Sequence, residues 1–285
     1  MAVGFGHFLL ESTSRLWALD ELAESIDGII FTQFRSGGVG KARKRYAPFL
    51  DILSGDKPLK ILREPTRVEN LVVPDPGFGH HHRMAGSLRY RRFTRAQVAK
   101  AADPSGPEHL YVSRSDLMDK RGGIFGETRI EEILTASGFT IFHPQKHSAR
   151  VQLAHYRAVK EVVSLDGSAL HMAAYALRFD ARVGMIMRRH TALLGGLAKQ
   201  IELFSGTKVF SFDALRADWI DEKVKRVDFR SLGELDFVKL QGQLANANFI
   251  SASQLREGLN EQEIRNLIDD MDRGKMRRVP VGAKP

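Results

Sequence analysis

The sequence predicts an α/β protein built on a parallel sheet with helices covering both faces. Two observations carry that prediction. Between residues 109 and 212, short apolar runs alternate with longer amphipathic stretches, the pattern of parallel strands joined by helical crossovers. The composition is globular, with 43% hydrophobic and 27% charged residues, and no cysteine is present, so packing alone must hold the core.

Taken in order, residues 11–23 place Leu16, Leu19, Leu22 and Ala23 at helical spacing beside Trp17 and predict an amphipathic helix. Residues 26–32 read as a strand, broken by Ser36-Gly37-Gly38-Val39-Gly40, and helical periodicity resumes over 41–53. Residues 59–63 and 69–73 read as two more short strands. Pro74-Asp75-Pro76-Gly77 and Gly79-His80-His81-His82 make a turn-rich loop, and residues 84–102 are predicted largely helical. Ala102-Asp103-Pro104-Ser105-Gly106-Pro107 is the best linker, because the residue before a proline is driven to extended geometry.

Beyond it the expected order is strand 109–113, helix 127–137, strand 140–143, helix 151–158, strand 161–165, helix 168–176 and strand 182–187. A helix over 192–204 and a strand over 209–212 follow, then helices over 231–247 and 253–272, the last capped by Ser253. The tail is basic and expected to fray. The units are therefore residues 1–103, 104–225, a helical 226–272 and a flexible tail 273–285. In parallel sheets ligands bind beyond the carboxyl ends of strands, and Ser113-Arg114 and Asp166-Gly167-Ser168 both fall at such ends.

The net charge of +9 invites an anionic partner. Basic against acidic residues number 16 to 11 over 1–105, 13 to 10 over 106–206 and 14 to 13 over 207–285. That even spread argues against nucleic acid, which calls for a continuous basic stripe. The clusters Lys41-Ala42-Arg43-Lys44-Arg45 and Arg89-Tyr90-Arg91-Arg92 read as solvated faces or as contacts to an anionic polysaccharide or membrane surface. No apolar run approaches the roughly 20 residues that span a bilayer, and the first ten residues lack a signal-peptide pattern. Three consecutive histidines cannot all face one ion in regular structure, so no metal site is expected at His80-His81-His82. Phosphate-loop, nucleophile-elbow and zinc-protease motifs are absent.

Three stretches, in order and spacing, resemble glycosyltransferase family 61. The first is Gly6-His7-Phe8-Leu9-Leu10-Glu11 running on to Arg15-Leu16-Trp17. The second is Tyr111-Val112-Ser113-Arg114, followed by Arg121 and Glu127. The third comprises Gly138-Phe139, Pro144, Gln152 and Val162-Val163-Ser164-Leu165-Asp166-Gly167-Ser168-Ala169-Leu170-His171. Three positions depart from the family's habit. Asp166 stands where many relatives have His, Ser168 where many have Ala, and Gly126 where Asn often precedes the Glu.

The resemblance implies two Rossmann-like domains facing across a cleft, the GT-B type. The chain begins almost at the first motif, so an incomplete N-terminal domain is expected. Residues 1–103 would then be the acceptor side and 104–225 the nucleotide-sugar side, with the 226–272 helices packing back on both. The implied activity is an inverting, metal-independent transfer of a sugar from a nucleoside diphosphate, by family habit uridine diphosphate, to a bacterial surface-polysaccharide or other glycan acceptor. No cofactor beyond that co-substrate is expected. The location implied is the cytoplasm, with peripheral contact to an anionic inner membrane.

Arg114 and Arg121 are the candidate phosphate ligands, because a planar, permanently charged guanidinium matches phosphate oxygens and stabilises charge developing on the leaving group. Gly167 and Ser168 would offer backbone N–H groups at a helix start, with His171 one turn on and Glu127 binding donor hydroxyls or orienting an arginine. Asp166 is given no role. His7 and Glu11, spaced to share a helix face, are the candidates for deprotonating the acceptor. Competing readings are a non-catalytic relative that binds sugar nucleotide or polysaccharide, a polysaccharide pyruvyl transferase, and a nucleic-acid binder suggested by charge alone.

Overall fold

The computed structural model describes residues 4–32, 39–79, 81–117, 121–191, 194–251, 256–271 and 275–282. Its centre is a five-stranded parallel sheet formed by β3 (His109–Val112), β4 (Thr140–Phe142), β5 (Glu161–Leu165), β6 (Arg182–Ile186) and β7 (Lys208–Phe212), in the order β4-β3-β5-β6-β7. Between these strands run α5 (Glu127–Ala136), α6 (Ala149–Ala158), α7 (Ser168–Ala176) and α8 (Leu194–Ser205). Alternation along the strands feeds two cores. Leu110, Val112, Val162, Val183 and Met185 face one side and Tyr111, Val163, Leu165 and Ile186 the other.

The first core also takes residues from the N-terminal third. These come from α3 (Val39–Ser54) and α4 (Leu88–Ala101), with Tyr46, Phe49, Leu53, Tyr90 and Phe93 packed alongside Tyr156, Tyr175 and Phe204. Residues on both sides of the expected boundary near 103 thus share one core. A separate two-stranded parallel sheet pairs β1 (Ile29–Thr32) with β2 (Leu59–Leu62). The second core is closed by α5 and α9 (Phe237–Asn246).

A third, antiparallel sheet orders β8 (Leu215–Asp221) between β9 (Leu232–Leu235) and β10 (Met276–Pro280), and α10 (Glu261–Asp270) covers it through Ile264 and Ile268 against Trp219. A capping box, Asn260 with Glu263, starts α10. Ser253, expected to cap a longer helix, lies outside the described residues.

Four expectations are corrected. Residues 11–23 are not one helix: α1 (Phe5–His7) passes into a π-helical turn at Phe8–Ser12, then come a 3-10 turn at Leu16–Ala18, α2 (Leu19–Leu22) and another 3-10 turn at Ala23–Ser25. Thr13 Oγ1 donates to Leu9 O at 2.7 Å and Ser14 Oγ to Glu11 O at 2.8 Å, the side-chain competition that bends helices. Residues 69–73 form no strand. Leu71, Val72 and Val73 are exposed, and the prolines that follow deny a sheet its donors.

Residues 231–247 open as strand β9, because Asp236 caps α9 by accepting from Lys239 N at 2.9 Å and the helix starts only there. The tail expected to fray contains β10, where Arg278 grips Glu234 through two bonds of 2.7 Å. Among the described residues no helix is long and apolar enough to cross a membrane. Arg89 pairs with Glu21 and covers Trp17, and Arg91 donates to Leu203 O, so these two arginines are tied to the protein. Most side chains of the other cluster, 41–45, lie outside the described residues.

Candidate functional site

The strand order switches at the carboxyl ends of β3 and β5, where the chain winds to β4 on one side and toward β6 on the other, the position at which open parallel sheets form a ligand crevice. Ser113-Arg114 leaves β3 there and Asp166-Gly167-Ser168 leaves β5. Arg188-Arg189-His190 leaves β6 beside them.

Arg114 is fixed from both ends. Its backbone N–H donates to Glu127 Oε1 at 2.7 Å, and its guanidinium reaches Gly122 O through Nη2 at 2.9 Å and Nε at 3.3 Å. The remaining nitrogen, Nη1, lies over Gly167, where an added methyl group would stand 3.3 Å away. Gly167 has extended backbone, φ 168°, so glycine serves close approach here. Burial lowers the Arg114 pKa, Glu127 and Asp166 oppose that, and the charge of exposed Arg121 adds to it.

Glu127 is buried at the start of α5, behind Gly126 at φ +73°. That left-handed conformation suits glycine or asparagine. Glu127 Oε1 also accepts from Tyr111 OH at 3.0 Å, while Ser113 and Ser115 donate to Glu131 at 2.5 and 2.7 Å. Glu127 Oε2 is buried without a hydrogen-bond partner, and burial pushes the carboxyl up to about 7. Its contacts hold the Arg114 loop from within.

Asp166, assigned nothing from sequence, organises the other wall. It accepts Arg188 N–H on Oδ1 at 2.8 Å, its carbonyl accepts Arg188 Nε at 2.9 Å, and Arg189 Nε lies 3.7 Å from Oδ2. Arg188 is buried, its pKa pulled down to about 10 by desolvation, and its Nη1 lacks a hydrogen-bond partner. His190 N–H donates to Asp218, whose carboxyl burial raises. Sequence reasoning missed Arg188 and Arg189, although their strand-end position is the signal that identified Arg114.

The first motif approaches the same region through Gly6. His7 Nδ1 and Glu11 Oε1 are 2.8 Å apart on the exposed side of α1 and the π turn. A methyl group on Gly6 would lie 3.3 Å from His171 Cδ2 and 3.6 Å from Ser168 Cβ, so the first motif packs on the first turn of α7. No side chain caps α7, whose leading N–H groups follow Gly167.

Buried hydroxyls hold this packing. Thr13 Oγ1 meets Tyr90 OH at 2.8 Å, Tyr90 OH meets Tyr175 OH at 2.8 Å, and Tyr175 OH donates to Leu9 O at 2.9 Å. Burial pushes Tyr90 up to about 12 and Tyr175 well above the ordinary tyrosine value, so both stay neutral. Gln152 donates to Pro144 O and His147 O, a structural closure of its loop.

A cavity of about 650 Å³ lies by the amino ends of the strands, its lining including Arg95, Arg157 and Arg178. These are tied to Ser205 O, Ala102 O and Asp180, away from the crevice. Among the described residues no group of His, Asp and Glu is arranged to hold a metal ion, and His80 lies outside them.

The model of one protein family, described as Glycosyltransferase 61, matches residues 5–194. That span takes in the His7–Glu11 pair and the three turns that leave β3, β5 and β6. No curated protein matches the chain.

Proposed function

Because the chain belongs to glycosyltransferase family 61, we propose that this glycosyltransferase is an inverting, metal-independent enzyme of the GT-B type that moves a sugar from a uridine diphosphate donor to a surface-polysaccharide or glycan acceptor. The supporting observation is the convergence of Arg114, Arg121, Arg188 and Arg189 on the crevice at the start of α7. Charge that develops on the β-phosphate as the bond to the sugar breaks would be met by guanidinium groups and by the N–H groups after Gly167.

On this reading, β1, β2 and α3 belong to the acceptor side. The acceptor oxygen attacks the anomeric carbon from the face opposite the phosphate, and its proton passes to His7 Nε2. Glu11 on Nδ1 sets the tautomer and steadies the imidazolium. His171, which packs beside Gly6, would contact the donor on this reading.

The test is a thermal-shift screen of nucleoside-diphosphate sugars, since a ligand that binds only the folded state raises its melting temperature. A uridine donor should stabilise the protein, and Arg114→Ala and Arg121→Ala should abolish both the shift and transfer. Retained turnover in those variants would sink the proposal. Donor binding with no transfer to any acceptor would instead favour a non-catalytic relative.

A further inference from the structure

The arginine crevice accounts for a diphosphate and leaves the nucleoside of a donor without a partner. Gly122 leads outward from it. The Gly122 carbonyl holds the Arg114 guanidinium, and its N–H donates to Phe229 O at 3.0 Å. A methyl group on Gly122 would stand 2.4 Å from Arg188 Nη1 and 2.6 Å from Phe229 O, so Arg188 and the Phe229 backbone close on one atom. Phe229 is therefore tied directly to the residue that two of the crevice arginines touch.

The residue is nevertheless 56% exposed. The turn that carries it is ordered: Arg230 N–H donates to Asp228 Oδ1 at 2.7 Å and Asp228 N–H to Ser231 Oγ at 2.8 Å, with Ser231 buried. The Arg230 guanidinium lies 5.9 Å from the ring centre.

Single exposed apolar residues are ordinary, and the chain has others. Phe179 is 75% exposed, but it sits between Arg178 and Asp180, ahead of β6 and at the far end of the sheet from Arg114. Leu71, Val72 and Val73 are aliphatic. Phe229 alone among these is an exposed aromatic residue whose backbone is tied to Gly122. An aromatic ring on a stiff turn beside phosphate-binding cations is the arrangement on which bases stack.

Resting on the reading that the crevice holds the donor diphosphate, we propose that Phe229 is the stacking platform for the donor's nucleobase. Every base offers a π face, so this contact supplies affinity without selecting the base.

Calorimetric titration of uridine diphosphate and of inorganic pyrophosphate separates the two claims. In Phe229→Ala the nucleotide should bind about tenfold more weakly while pyrophosphate binds as in wild type. Phe229→Trp should restore nucleotide affinity, and Phe179→Ala should match wild type for both ligands. Unchanged nucleotide affinity in Phe229→Ala, with both ligands lost in Arg114→Ala, overturns the platform and leaves the crevice reading standing. Equal loss of both ligands in Phe229→Ala also overturns it, since the residue would then only brace Gly122. Failure of both ligands to bind wild type, or full binding to Arg114→Ala, removes the crevice reading and the platform with it.

Discussion

Arg114 Nη1 rests against the backbone of Gly167, leaving 3.3 Å to the position a methyl group would take. Since Gly167 is extended, Gly167→Ala brings no backbone strain, and its melting temperature should stay within about 2 °C of wild type. The methyl group must push back, by a few tenths of an ångström, a guanidinium already bound to Gly122 O. Donor affinity should therefore fall while the fold is kept, and a variant that binds donor as wild type does would contradict this contact's role.

The Glu127 carboxyl is raised from 4.5 to about 7, chiefly by burial. A group that holds its proton more tightly when folded favours the native state most below its unfolded pKa, and that advantage is lost as pH climbs through the folded value. The loss is roughly 3 kcal/mol across that window. Denaturation midpoints of wild type should thus decline between about pH 4.5 and 7 relative to Glu127→Gln, which cannot ionise. Parallel pH profiles for the two proteins would refute it.

Asp166 compensates two arginines, one of them buried. Asp166→Ala strands that charge and should cost about 3–5 kcal/mol in urea unfolding. Asp166→Asn keeps an acceptor for Arg188 N–H and should cost less. Equal costs would show that the carboxylate's charge is immaterial.

Tyr175 anchors the π turn that follows His7. Tyr175→Phe removes its hydroxyl with little change of shape and should cost about 1–2 kcal/mol. With His7 and Glu11 loosened, kcat should drop while uridine diphosphate binds as before. A matching loss of nucleotide affinity would place Tyr175 in the wrong half of the site.

Sequence periodicity revealed β3 to β7 and the helices between them, because fully buried parallel strands are short apolar runs bounded by turns. It failed where tertiary contacts decide. Thr13 and Ser14 divert the N-terminal helix, and Leu232–Leu235 become a strand only because β8 lies alongside. Arg114 and the Gly167 turn were legible as strand ends backed by motif. Arg188 and Arg189 needed the same criterion applied to β6, and their pairing with Asp166 depends on β5 and β6 being neighbours, which no local pattern states. Phe229 reaches the crevice only through the backbone pairing of Gly122.

The four arginines of the crevice also bear on how a catalytic cycle would close. A nucleoside diphosphate leaves with more negative charge on its terminal phosphate than it carried as a sugar ester, so a cationic cradle grips the spent leaving group harder than the incoming donor. Turnover would then be paced by release, and accumulating nucleotide would throttle the enzyme. Steady-state rates that rise when a phosphatase clears the nucleotide would reveal this brake.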